Sequence, residues 1–206
     1  RRKIRRLGCL AFHTLLFCEA QRKTYEQQHE REHIVSAEEI QLPENLTGLV
    51  IVASTRAARG IYEDKSGPIA VEWLRSRGFK TPDAVVIEDR QIIDYFNSLI
   101  ADGKKNNNLP TFILTSGGTG LNTDDQTVEA VRPHLDKEIP GIMHAFWANG
   151  LQNVSSAVLS RGVAGVIDKT FVMTLPGSRG GVKDGVKTLD PLVEHICRQM
   201  EDYHDH

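Results

Sequence analysis

Cysteine is scarce in this 206-residue chain: Cys9, Cys18 and Cys197 are all there is, and no two form a Cys-x-x-Cys pair. An odd, widely spaced set excludes a disulfide framework and argues against a structural zinc site. It is what a protein kept in a reducing, cytoplasmic compartment is expected to carry. No run approaches the ~20 consecutive apolar residues of a membrane-spanning helix, so no membrane partner is expected. A basic excess is missing too. The chain holds 25 Lys/Arg against 27 Asp/Glu; eight bases and four acids fall in residues 1–33, leaving 17 against 23 in the remainder. An acidic body excludes a generic nucleic-acid binder, because affinity for the phosphate backbone rests on neutralisation by Lys and Arg.

Residues 1–46 read as an appendage. They open RRKIRR, continue through the apolar stretch LGCLAFHTLLFCEA and end in the polar QRKTYEQQHEREH. The basic-then-apolar order mimics a secretory signal, but His13 and Thr14 interrupt the apolar stretch and no small-residue cleavage pattern follows. The expectation is a poorly ordered or partly helical extension, helical over 19–40, with Pro43, Asn45 and Gly48 punctuating the entry to a domain over 47–203.

From residue 47 the pattern becomes regular. Leu49–Ala53 is a wholly apolar, β-branched run of the kind that fills a buried parallel strand. A polar loop is expected over 54–65, then a helix with Ser66 as N-cap and Pro68 in its first turn, ending near Gly78. Further strands are expected at 84–87, 111–115, 166–167 and 171–174. Helices are expected at 90–101, with Ile92, Ile93, Phe96, Leu99 and Ile100 inward, and at 182–200. Strand and helix alternate, which predicts a three-layer α/β/α domain around a mostly parallel sheet.

In such a sheet ligands bind beyond the carboxyl ends of the strands, and three loops there are unusual. Ser116-Gly117-Gly118-Thr119-Gly120 follows a strand directly. Adjacent glycines let successive N–H groups turn toward one anion, and they serve equally for a tight turn with positive φ. Asp124 and Asp125 lie just beyond, where carboxylates either help Mg²⁺ hold phosphate or favour the first turn of a helix that Thr127 is placed to cap. Pro176-Gly177-Ser178 precedes the last helix, an anion site by construction or an ordinary turn. The loop matches neither the Walker A pattern nor the spaced dinucleotide fingerprint.

These segments, taken in order, resemble the MogA/MoaB family of molybdenum-cofactor biosynthesis proteins, whose fold is shared with the gephyrin G domain. The resemblance covers residues 48–200. It runs through Ser54-Thr-Arg56, Ala57-Ala-Arg-Gly-Ile-Tyr-Glu-Asp64, Glu63-Asp-Lys-Ser-Gly67, Thr115-Ser-Gly-Gly-Thr-Gly120, Asp125-x-Thr127-x-Glu129-Ala130, Glu138-Ile-Pro-Gly141, Leu159-Ser-Arg161 and Leu175-Pro-Gly-Ser178. It implies adenylylation of molybdopterin by MgATP, giving adenylyl-molybdopterin and pyrophosphate, with a catalytically weak molybdopterin-binding or assembly protein as the alternative. By resemblance Asp125 is catalytic and holds Mg²⁺, and Glu88 stands where the family carries its second acid, one methylene longer and beside Asp89. Ser116, Gly117, Gly118, Thr119, Gly120 and Thr127 are implied to bind substrate phosphates. Asp64, Ser66, Gly67, Pro176, Gly177 and Ser178 border the same cleft. Arg179 and Trp147 depart from the family pattern. The resemblance further implies a homotrimer or hexamer and other cofactor-biosynthesis proteins as partners.

The remaining histidines carry less. His134 and His144 form no pair at ligand spacing, and His195 and Cys197, two apart on a helix, are expected on different faces. The Asp202–His206 tail is expected to fray.

Overall fold

The structure is a computed structural model and describes residues 45–201. The expected extension, its helix over 19–40 and the Asp202–His206 tail lie outside the described residues.

Among the described residues, six strands form one sheet in the order β2-β1-β3-β6-β5-β4. They are β1 (Gly48–Ala53), β2 (Val85–Ile87), β3 (Phe112–Ser116), β4 (Lys137–Glu138), β5 (Ala164–Ile167) and β6 (Thr170–Leu175). Strands β2, β1, β3 and β6 are mutually parallel; β5 runs antiparallel to β6, and β4 antiparallel to β5. The helices are α1 (Thr55–Ala58), α2 (Gly67–Ser76), α3 (Ile92–Asn106), α4 (Thr127–Val131), α5 (Pro140–Leu151), α6 (Arg179–Leu189) and α7 (Val193–Met200).

The central strands β1, β3 and β6 are buried at every position because both faces are covered. Val50, Val52, Phe112, Leu114, Phe171 and Met173 pack on one side with α2, α5, α6 and α7. Leu49, Ile51, Ala53, Ile113 and Val172 pack on the other with α3 and α4. Phe112 anchors the first layer, its ring centroid 4.5 Å from that of Phe171 and 5.2 Å from that of Phe79. The three-layer architecture expected from the alternation is the one observed.

Four local expectations need correction. The 54–65 segment contains a short helix, α1, because the Ser54 hydroxyl accepts from the Ala57 N–H and caps it. Helix α3 runs past 101 through Gly103, where a Cβ would stand 2.3 Å from Leu109 Cδ2; the missing side chain lets Leu109 pack there. The expected helix over 182–200 is two helices, broken at Asp190-Pro191, since proline removes a backbone donor and crowds the preceding turn. Ser66 holds the N-cap position of α2 but makes no capping bond. Asp64 supplies it, accepting from the N–H groups of Ser66 and Gly67 at 2.9 Å each.

The α6–α7 break is also a tether. Trp73 Nε1 on α2 donates to Asp190 Oδ1 at 2.7 Å, and Arg77 donates to the same oxygen. The indole N–H, then Arg77, holds the Asp190 carboxyl below its ordinary value. Asp190→Ala leaves the indole unpaired and is expected to cost about 1–3 kcal/mol, read as a melting temperature several degrees lower at pH 7. A depressed carboxyl contributes stability above its unfolded-state pKa and loses it as pH falls through the folded-state value. The gap between variant and parent therefore closes as pH drops past 3.8, the ordinary value.

Candidate active site

Parallel pairing of β1, β3 and β6 brings their carboxyl ends to one edge, and the chain leaves β1 toward β2 on one side and β3 on the other. A crevice forms at such a switch point. The loop after β3 crosses it. Gly117 N donates to Leu175 O at 3.0 Å, and a Cβ on Gly117 (φ +97°) would stand 2.2 Å from Ala53 O. Gly118 (φ +66°) is as crowded, its Cβ position lying 2.2 Å from Thr127 Oγ1. Positive φ and close approach occur together here, as the tight turn requires.

The carbonyls of this loop are tied outward. Gly118 O accepts from Thr127 N at 3.0 Å, Thr119 O from Arg161 N at 2.9 Å, and Gly120 O from Arg161 Nε at 2.6 Å. The N–H groups of Gly118, Thr119 and Gly120 have no protein acceptor among the described residues. Three consecutive unpaired donors form a concavity that suits an anion. Behind them the Thr127 hydroxyl is fully buried with no partner. Thr127 is the first helical residue of α4, with Gln126 at the N-cap position, so the expected cap is not made.

Asp125 lies half-buried beside Gly120. Its Oδ2 accepts from Asn122 N at 2.8 Å, and Oδ1 takes no hydrogen bond among the described residues. Asp124 is exposed. No cluster of three His, Cys, Asp or Glu side chains suited to a metal exists among the described residues. Mg²⁺ does not demand one, since it usually takes one or two carboxylates and completes its shell with phosphate oxygens and water. A free carboxylate oxygen beside three free amides fits that pattern.

A cavity of about 680 Å³ opens over Gly118, Thr119, Gly120, Asp125, Pro176 and Gly177. Ser178 lines it too, but its hydroxyl caps α6 by accepting from Gly181 N at 3.0 Å. A second depression of about 400 Å³ adjoins it over Asp64, Ser66, Gly177 and Arg179, so Gly177 belongs to both. Below runs a hydroxyl chain: Ser116 Oγ donates to Ser66 Oγ (3.0 Å), which donates to Asp64 Oδ1 (2.7 Å). Gly67 sits at the base of that chain, its N–H on Asp64.

Glu88 is placed elsewhere. Its oxygens take Arg59 Nε at 3.1 Å and Arg90 Nε at 2.9 Å, and it lines neither cavity. The Arg59 bond holds its carboxyl below the ordinary value. Asp89 accepts from the Thr55 N–H and hydroxyl at 2.8 Å each. Trp147 donates from Nε1 to Ser160 O at 3.0 Å and packs on the core. His195 is exposed and Cys197 buried, on opposite faces as expected; burial pushes the Cys197 thiol up to about 12.

The family model for the probable molybdopterin binding domain matches residues 49–195. The chain belongs to this family. Among curated relatives of this domain, it is 33% identical to the molybdopterin adenylyltransferase of Pyrococcus furiosus over 158 residues, covering 74% of the chain and 90% of the relative. It is 35% identical to molybdenum cofactor biosynthesis protein B of Bacillus cereus over 156 residues, covering 74% and 88%. It spans 47% of the Chlorobaculum tepidum molybdenum cofactor biosynthesis bifunctional protein, at 31% identity over 74% of the chain. Among solved structures, the molybdopterin biosynthesis Mog protein of Mycobacterium ulcerans superposes with a TM-score of 0.68 at 41% identity, over 75% of this chain and 99% of that one. The family places the chain in molybdenum-cofactor biosynthesis.

Arg161, in the Leu159-Ser-Arg161 segment, ties the glycine loop to α4. It donates to Gly120 O, to Asp125 O at 2.7 Å and to both Glu129 oxygens, and the pairing holds the Glu129 carboxyl below its ordinary value. A single arginine between Ser160 and the apolar run from Val163 is the signal that was available. Two outcomes follow. Arg161→Ala is expected to cost about 1–3 kcal/mol by releasing these acceptors. Gly117→Ala, whose Cβ meets backbone it cannot displace cheaply, is expected to cost about the same or more and to reduce anion binding. Thermal melts of both variants with phosphate titrations check them.

Proposed function

We propose that the chain transfers the adenylyl group of ATP to the terminal phosphate of molybdopterin. A phosphate oxygen of molybdopterin attacks the α-phosphorus of ATP, the bond from that phosphorus to the bridging oxygen breaks, and pyrophosphate leaves. Such a reaction needs no protein nucleophile; it needs in-line placement and charge stabilisation. The observation that carries the reading is the Asp125 carboxylate set beside three unpaired amides in one cavity. The amides of Gly118, Thr119 and Gly120 would hold phosphate oxygens, and the amino end of α6 would hold others. Asp125 is the residue that would hold Mg²⁺, which when bound neutralises charge gathering on the leaving pyrophosphate. Arg161 fixes the loop and the Asp125 main chain, so the donors are in place before substrate arrives.

A second reading, a molybdopterin-binding protein with weak turnover, draws support from Glu88, which is committed to Arg59 and Arg90 away from the cavity. The name of the Pyrococcus relative supports the first. Assembly into a trimer or hexamer belongs to both readings, and the exposed Leu151 and Val158, which lie outside the cavity lining, are apolar surface that assembly would cover.

The test is turnover of molybdopterin with ATP and Mg²⁺, with adenylyl-molybdopterin read by mass. Asp125→Asn keeps an oxygen for Asn122 N, so the fold should stand while the rate falls at least about 100-fold. Unchanged turnover in that variant removes Asp125 from the mechanism. Binding without product in the parent chain supports the second reading.

A further inference from the structure

The large cavity has a second carboxylate that the phosphate chemistry does not use. Asp184 stands on α6, four residues beyond Gly180, about 6 Å further along the helix axis. It is half-buried. Its Oδ1 accepts from Asn153 Nδ2 at 3.3 Å; Oδ2 has no protein donor among the described residues and lies toward Gly150, 3.8 Å from where a Cβ there would stand. Lys183 also lines the cavity, but adjacent helical residues do not face one another, so it is no built-in partner. The cavity that Asp184 lines is walled by the apolar Phe146, Val154, Ala157 and Leu159, along with Ser156 and Ser160. An acceptor left open beside apolar surface is available to a ligand that brings a donor and covers that surface.

We propose that Asp184 determines specificity in this cavity by reading a paired N–H edge, the 2-amino-4-oxopyrimidine face of a pterin. A carboxylate offers two acceptors side by side, and its oxygens can each take more than one donor, so the Asn153 bond does not close the site. The pterin face offers two N–H donors side by side. Adenine offers a donor beside an unprotonated ring nitrogen, which sets a lone pair against a carboxylate oxygen. The same helix thus serves both ends of one ligand: its amino end takes the anion and Asp184, one turn on, takes the heterocycle between apolar walls. The proposal rests on the reading that molybdopterin is the substrate, and it gives that substrate an orientation.

The test uses the full chain, with binding as the readout. The probes are 6-hydroxymethylpterin, followed by its fluorescence, its 2-dimethylamino analogue, and AMP by calorimetry. The parent chain should bind the pterin at least tenfold more tightly than the analogue. Asp184→Asn, of equal size and with the main-chain bond from Thr188 to residue 184 untouched, should weaken pterin at least tenfold and leave AMP within twofold. Asp184→Glu, which keeps both acceptors, should restore pterin binding to within a few-fold. Unchanged pterin affinity in Asp184→Asn, equal loss of both probes, or no pterin binding by the parent each overturns the assignment. The adenylyl-transfer reading is judged separately by its own product, so the two fail independently.

Discussion

The closest backbone approach at the site is at Gly117, and the rest of the site depends on it. There the chain leaving β3 passes over the end of β1 and bonds to the end of β6, with Gly177 packed against its α-carbon. Three parallel strands are thereby linked at their carboxyl ends by main chain alone. Main-chain contacts leave little slack, because neither partner has rotamers to spend. The sheet therefore sets where the concave run of amides over Gly118–Gly120 begins, and Arg161 holds its far end.

Two polar networks hold what the backbone has placed. From below, the hydroxyls of Ser116 and Ser66 connect β3 to Asp64 at the start of α2. From the side, Arg161 gathers the carbonyls of Gly120 and Asp125 together with the Glu129 carboxylate. A guanidinium suits this position because its planar fork reaches several acceptors in fixed directions, which an ammonium does not. The Arg161 network consumes carbonyl acceptors and leaves the N–H groups of Gly118, Thr119 and Gly120 free, an imbalance that favours anionic ligands.

Much of this was legible in the sequence. The β-branched runs at 49–53 and 111–115 sit in a sheet buried on both faces, and periodicity reads such strands well. The glycine loop, Asp125 and the Pro176–Ser178 segment were recognisable by composition, and the structure brings them to one cavity. Other features were hidden because they depend on contacts between distant residues. Capping of α2 passed from Ser66 to Asp64, a choice made by loop geometry. Helix α5 went unread because Ile142, Met143 and Phe146 sit among glycines and a proline that suggest turns. Glu88 occupies the expected position in the chain, yet Arg59, 29 residues away, takes its carboxylate. Asp184 and Asn153 meet across 31 residues, with nothing local to announce them.

The two ends of the sheet bear on assembly. The terminal strands β2 and β4 are three and two residues long, and Lys137 and Glu138 of β4 are both exposed. Such short margins, charged in β4 and apolar in β2, offer few free ladder positions for another chain to extend. Copies of this protein that associate must then do so through helices and loops, where side-chain shape selects the partner. Among the described residues the sheet ends at these two strands, so its width is six strands.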